Sequence, residues 1–273
     1  MLRTLTSSKG LARACVLFVI LGVMPSADSG GARVLAFSPY ATSAGREPRA
    51  STPEELNQTP ETRRVIVVDP GHGGIDGGTS GAGLVEKNLT LDISRRIRLY
   101  LERDGFAVKM TRETDVDVSQ LFPSTLTGRH KRDLQNRLDF IRQTRAVGSL
   151  SIHINSSTNP GDRGPIVFYA VHSEPGKGLA IRCQAAVNRV SGSTQRAVGR
   201  KNLFIIRHAP CPAVLVEVGF LTNQRDSVRL RDPQYLDQMA RAIASAAAET
   251  LRCAPVPAPY VKGTAVNDWA PPT

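Results

Sequence analysis

Aromatic side chains are scarce: they make up only 5% of the 273 residues. Proteins that grip single-stranded nucleic acid interleave basic and aromatic residues, and no such pattern occurs here, so nucleic-acid binding is disfavoured. Acidic residues are also short of basic ones, 24 against 35, which leaves a formal net charge of +11. On charge alone the partner is anionic: nucleic acid, anionic lipid or an anionic cell-wall polymer. There are four cysteines and no Cys-x-x-Cys pair, which argues against a thiolate zinc site. Long apolar runs are missing too. The stretch Cys15 to Met24 is ten residues, too short for a comfortable membrane span.

That stretch follows Arg3, Lys9 and Arg13, a basic region ahead of an apolar one, as in a secretory signal. Residues 1–36 are therefore expected to be a signal peptide or signal anchor, with Val34-Leu35-Ala36 or Ala27 as small-residue cleavage sites. Contact with a membrane is expected only through this segment, if it is not cleaved. Cys15 precedes the apolar run, so a lipoprotein site is not expected. In an exported protein Cys183, Cys211 and Cys253 allow one disulfide with one thiol left over; buried free thiols are the alternative.

Residues 37–63 are rich in Ser, Thr, Pro, Ala and Glu with no apolar period and read as a flexible linker. A folded domain is expected over 64–252, followed by a loose tail over 253–273 that carries Pro255, Pro257, Pro259, Pro271 and Pro272. The domain opens on Val65-Ile66-Val67-Val68-Asp69-Pro70-Gly71-His72-Gly73-Gly74. Its β-branched start reads as a strand buried on both faces, and its glycines permit a tight loop around His72. A helix is expected from about Asn88, as N-cap, to Arg103, with Leu89, Ile93, Ile97 and Leu101 inward. Phe106–Thr111 is the second strand and 115–128 is irregular. A basic helix over Arg129–Ala146 follows, its arginines forming a solvated face. Leu150–Ile154, Pro165–Val171, Leu203–Ile206 and Ala213–Val218 read as further strands. One helix runs through Leu179, Cys183, Ala186 and Val190. Another starts at Asp232-Pro233 and runs to about Leu251. Strands alternating with helices predict a single α/β domain with a twisted mixed, largely parallel sheet flanked by helices. No internal repeat is present.

Three strand-end segments carry the chemistry. His72 follows the first strand. In Ser151-Ile152-His153-Ile154-Asn155, alternation puts Ser151, His153 and Asn155 on one face. In Val214-Leu215-Val216-Glu217-Val218, a carboxylate sits within an apolar strand, where it needs a cation, a metal or strong donors. Glu86 closes the glycine-rich loop ahead of the first helix. Two imidazoles and one carboxylate are the ligand set of a catalytic zinc site, and a second carboxylate not bound to metal serves as general base. Of the two glutamates, Glu86 on a flexible loop is free to swing to a metal, while Glu217 is held in a strand and suits the base. The loop lacks the Gly-Lys-Ser/Thr ending of a phosphate-binding P-loop.

The segments VIVVDPGHGG, LVEKNLTLDIS, MTRETD, SLSIHIN and PAVLVEVGFLTN, in this order, resemble the zinc-dependent N-acetylmuramoyl-L-alanine amidases of the amidase_3 family over about Val65 to Leu251. The resemblance implies one Zn2+ per chain, held by His72, Glu86 and His153, with Glu217 catalytic and peptidoglycan as substrate. Asn155 and Arg112 are candidates for supporting contacts. It further implies action outside the cytoplasmic membrane, in the cell wall or spore cortex, and leaves an activating protein partner open. With no wall-binding repeat and no long insert in the domain, the chain looks most like the sporulation amidases of cortex maturation; a general autolysin is the alternative. A zinc peptidase acting within the stem peptide and a non-catalytic wall-binding or activator module are the rival functions.

Overall fold

Alternation along the central strands sorts apolar from polar residues between the two faces of one sheet. The computed structural model describes residues 63–260; the expected signal segment, nearly all of the linker and the end of the tail lie outside them. In chain order the elements are β1 (Val65–Pro70), β2 (Ser80–Gly81), β3 (Leu84–Val85), α1 (Glu86–Arg103), β4 (Ala107–Met110), a 3-10 turn (Val118–Gln120), α2 (Arg129–Gln143), β5 (Gly148–Asn155), β6 (Ile166–Ala170), α3 (Glu174–Ser191), β7 (Val198–Arg200), α4 (Phe204–His208), β8 (Ala213–Phe220), α5 (Gln224–Arg229) and α6 (Pro233–Leu251). The sheet order is β4-β1-β5-β8-β6-β7. β4, β1, β5 and β8 run parallel, and β6 pairs antiparallel with β8. This is the mixed, largely parallel sheet expected, flanked by helices.

Ile66, Val68, Leu150, Ile152, Ile154, Val214, Val216 and Val218 join the main core with Leu89, Ile93, Ile97 and Leu101 of α1, Leu179 and Cys183 of α3, and Met239 and Ile243 of α6. The opposite face is packed more thinly: Val67 meets Ile141 and Ile205, and Phe168 meets Ile206 and Ala213. Asp69, Ser151, His153 and Glu217 alternate onto this second face. Asp232 caps α6 as expected, its side chain accepting from the Gln234 N–H at 2.9 Å ahead of Pro233.

Three local expectations are corrected. Asn88 is not an N-cap: α1 starts at Glu86, the β2–β3 hairpin running straight into it, and Asn88 lies within its first turn. Leu203–Ile206 is not a strand but the start of α4. Such a short apolar run has no period to separate the two forms, and the helical turn lets adjacent Ile205 and Ile206 fill the two neighbouring small clusters. The arginines of α2 are not all solvated, since Arg137 is only 2% exposed. Five short elements went unread: β2, β3, the 3-10 turn, β7 and α5. Cys183 and Cys211 are buried free thiols and Cys253 is exposed and free; burial pushes the first two up to about 12, which makes them inert. Among the described residues no helix is long and apolar enough to cross a membrane. Among the described residues after α6, 252–260, there is no regular secondary structure, and Arg64 donates to the Ala254 carbonyl and Arg145 Nε to the Pro257 carbonyl.

Candidate active site and metal centre

The chain leaves β1 through a left-handed turn. His72 has φ 61°, and Gly73, Gly74 and Gly78 also have positive φ. A non-glycine residue held in this region stores about 1–3 kcal/mol, a feature that clusters at functional sites. Glycine is required here for close approach as well. A Cβ on Gly71 would lie within 2.7 Å of both nitrogens of His153, and one on Gly78 would lie 2.7 Å from His72 Cδ2 and 2.9 Å from the Glu86 carboxyl carbon. The loop therefore packs bare backbone against the side chains it serves.

Glu86 is not on a flexible loop. It is the first residue of α1 and 3% exposed. Its Oε2 accepts from the Thr79 N–H (2.8 Å) and its Oε1 from the Ile154 N–H (3.0 Å). A carboxylate at a helix N-terminus is also favoured by the helix dipole. His153 and Glu217 are direct neighbours in the register of β5 and β8, at the carboxyl end of the parallel strands, where open α/β sheets place ligands.

These elements bring three groups together. His72 Nε2 and His153 Nδ1 each lie 3.1 Å from the same oxygen, Glu86 Oε1, and one ligand atom from each of the three falls within 4.8 Å of the others. The set can hold a metal ion: two imidazole nitrogens and one carboxylate oxygen are a donor set suited to Zn2+. Burial would raise the Glu86 pKa, but hydrogen bonds from His153 and His72 reverse this and leave it well below the usual range. Burial lowers the His72 pKa, while Glu86 and then Asp76 outweigh it and raise it. Glu217 stands apart. Its Oε2 is buried with no hydrogen-bond partner, and burial pushes its pKa up to about 7, His153 and His72 opposing and Glu86 adding to the rise. A buried, unpartnered carboxyl oxygen beside a three-ligand cluster is placed as a general base requires.

Residues 66–249 match the family of N-acetylmuramoyl-L-alanine amidases named Amidase_3. The chain belongs to this family. It is 33% identical over 185 residues to the germination-specific N-acetylmuramoyl-L-alanine amidase of Bacillus subtilis, covering 67% of this chain and 78% of that protein. To the N-acetylmuramoyl-L-alanine amidase LytC of the same organism it is 31% identical over 203 residues, 73% of this chain but 38% of LytC. Among solved structures it is similar to the CwlD amidase of Clostridioides difficile, determined in complex with the GerS lipoprotein, with a TM-score of 0.64 and 28% identity over 69% of this chain and 98% of that one. The protein is thus a peptidoglycan hydrolase of the N-acetylmuramoyl-L-alanine amidase type.

In this amidase the loop around His72 rests on a buried ionic layer. Asp69, fully buried on β1, accepts from Thr111 Oγ1 (2.5 Å), Ser151 Oγ (2.8 Å) and Arg137 Nη1 (2.6 Å). Arg137 also donates to the Pro70 carbonyl (2.8 Å), the His72 carbonyl (2.7 Å) and Asp133 Oδ1 (2.7 Å). Burial would raise the Asp69 pKa, and the Arg137 charge with these hydrogen bonds holds it below the ordinary value. Arg112 donates to the carbonyls of Pro70 (3.1 Å), Gly71 (2.9 Å) and Lys87 (2.8 Å), tying the loop to α1. Burial and the nearby Arg137 charge lower its pKa to about 10, which leaves it cationic. Asn155 does not point into the cluster in any hydrogen bond formed here, its side chain accepting from the next residue's N–H at 2.8 Å. Asp69 and Arg137 escaped the sequence reading. The signal was available: Asp69 interrupts a buried apolar strand just as Glu217 does, and it too needed a cation.

Proposed function

We propose that this amidase is zinc-dependent and cleaves the amide between the lactyl group of N-acetylmuramic acid and L-alanine of the stem peptide. His72 Nε2, Glu86 and His153 Nδ1 hold one Zn2+ per chain, and Glu217 is the general base. The observation that carries this is the convergence of both imidazoles on one oxygen of Glu86, 3.1 Å from each, with the unpartnered Glu217 Oε2 on the neighbouring strand. When bound, zinc supplies Lewis acidity to the amide carbonyl and lowers the pKa of water, to about 7 in favourable cases. Glu217 takes a proton from the attacking water and returns it to the departing amine of L-alanine, so the C–N bond breaks as the lactyl carboxyl forms. Burial raises the Glu217 carboxyl in the metal-free site, and a raised carboxyl suits a group that must accept and then donate a proton. Glu86 stays ionised throughout, held by its backbone donors.

The substrate lies outside the cytoplasmic membrane, so the N-terminal segment is read as an export signal and 64–252 as the catalytic unit. Similarity to a germination-specific relative favours a role in spore-cortex maturation, and the lipoprotein bound to the similar CwlD structure makes an activating partner the natural expectation. Zinc removal tests the metal. A chelator-stripped enzyme should release no L-alanine amino ends from peptidoglycan, and one equivalent of Zn2+ should restore release while sugar strands stay intact. Full activity of rigorously zinc-free protein, or cleavage within the stem peptide, contradicts the proposal.

A further inference from the structure

Close backbone packing bounds both histidines of the cluster, and His72 has a carboxylate on its far nitrogen besides. The His153 ring lies against Gly71, where a Cβ would fall within 2.7 Å of its two nitrogens, so its position is set by packing. His72 is walled in the same way by Gly78, where a Cβ would fall 2.7 Å from its Cδ2, and in addition its second nitrogen, Nδ1, faces Asp76 Oδ1 at 3.1 Å. Asp76 is itself tied down. Its backbone pairs with Gly73 in both directions (2.9 and 3.1 Å), and Oδ1 also accepts from the Gly78 N–H at 3.1 Å. Oδ2 faces Arg129 Nη2 at 3.5 Å, and Arg129 Nη1 faces Asp117 Oδ2 at 3.7 Å. Arg129 is the first residue of α2 and Asp117 precedes the 3-10 turn, so the chain of contacts runs from two rigid elements into the His72 ring.

We propose that Asp76, steadied by Arg129, is a positioning residue that holds His72 as the Nδ1–H tautomer with Nε2 turned inward. The inference rests on the zinc reading above. An imidazole has a broad, roughly two-fold torsion about its ring bond, and only one of its four settings here leaves an unprotonated nitrogen facing Glu86. The carboxylate on the far nitrogen selects that setting and makes Nε2 a stronger donor. The Arg129 contacts keep Asp76 from turning toward the cluster itself, where a third carboxylate would compete with Glu86 and Glu217.

Zinc dissociation constants for the full chain, measured by competition with a chromophoric chelator, test this, together with ring-nitrogen NMR of the zinc-loaded protein, which reads the His72 Nδ1–H proton and its exchange with water. Asp76→Ala should weaken zinc binding about 10–100-fold and, in the zinc-loaded protein, speed exchange of the His72 Nδ1–H proton with water. Asp76→Asn, which keeps an acceptor for Nδ1–H, should lie at the lower end of that range. Arg129→Met should weaken binding less and add nothing in the Asp76→Ala background. Wild-type affinity with unchanged Nδ1–H exchange in folded Asp76→Ala overturns the inference; if that variant does not fold, wild-type affinity in Asp76→Asn does the same. A wild-type chain that binds no zinc overturns instead the reading on which the inference stands.

Discussion

Replacing Glu217 by Gln should lower the rate of amide hydrolysis by at least about 10⁴-fold while leaving bound zinc unchanged. General acid–base groups typically contribute about 10²–10⁴-fold, and the upper end applies because the same oxygen both activates the water and protonates the amine. The glutamine keeps the shape of the side chain and one carbonyl acceptor, but it cannot take up a proton. The fold should survive, since a neutral amide is easier to bury than a carboxylate. Metal-free Glu217→Gln should even be the more stable protein at neutral pH. The Glu217 carboxyl is raised from 4.5 to about 7, so the native state binds more protons than the unfolded one between those values, and wild-type stability falls as pH rises through that window. His153→Ala should behave differently, losing metal and activity together. Side-by-side measurement of zinc content and of L-alanine amino ends separates the two. Loss of metal in Glu217→Gln, with retention in Glu86→Gln, would mean that the two glutamates exchange roles.

The second large effect lies beneath the site. Arg137→Met should destabilise the metal-free amidase by about 3–5 kcal/mol, the range for removing one partner of a buried ion pair. For a domain of this size that corresponds to a Tm lower by roughly 6–20 °C. Arg137 is buried with Asp69, and its loss leaves that carboxylate with only two hydroxyl donors and leaves the Pro70 and His72 carbonyls without its guanidinium. The sign with pH follows from the lowered Asp69 pKa. The contribution of the pair is fully present above the ordinary carboxyl value of 3.8 and is lost as pH falls through the lower native value. The gap between wild type and Arg137→Met should therefore be widest near neutrality and close in strong acid. Thermal unfolding at neutral and acid pH reads it directly; equal Tm values at neutrality would show that the buried pair is not what supports the His72 loop.

The sheet and the meeting of His72, Glu86 and His153 were legible because period-two alternation is a strong signal. Ile152 and Ile154 face the core, so His153 cannot, and the same parity turns Glu217 to the same side. The helix faces of α1 and α6 were legible for the corresponding reason at period 3.6. What could not be read was set by contacts distant in sequence. Arg137 looks like one more arginine on a basic helix, and only the approach of β1 to α2 buries it. Asp76 looks like a turn residue, and only the left-handed backbone of His72 brings the ring back onto it four residues away. α4 was misread because four apolar residues carry no period, and the start of α1 because a two-residue hairpin leaves no gap in which Asn88 might serve as a cap.

The most direct test of the metal centre is anomalous diffraction at the zinc edge from crystals of the zinc-loaded enzyme. The account predicts one peak per chain, with His72 Nε2, His153 Nδ1 and a Glu86 oxygen at roughly 2.0–2.2 Å and Glu217 outside bonding distance. A peak bonded to Glu217 in place of Glu86, or no peak between the two histidines, would contradict it.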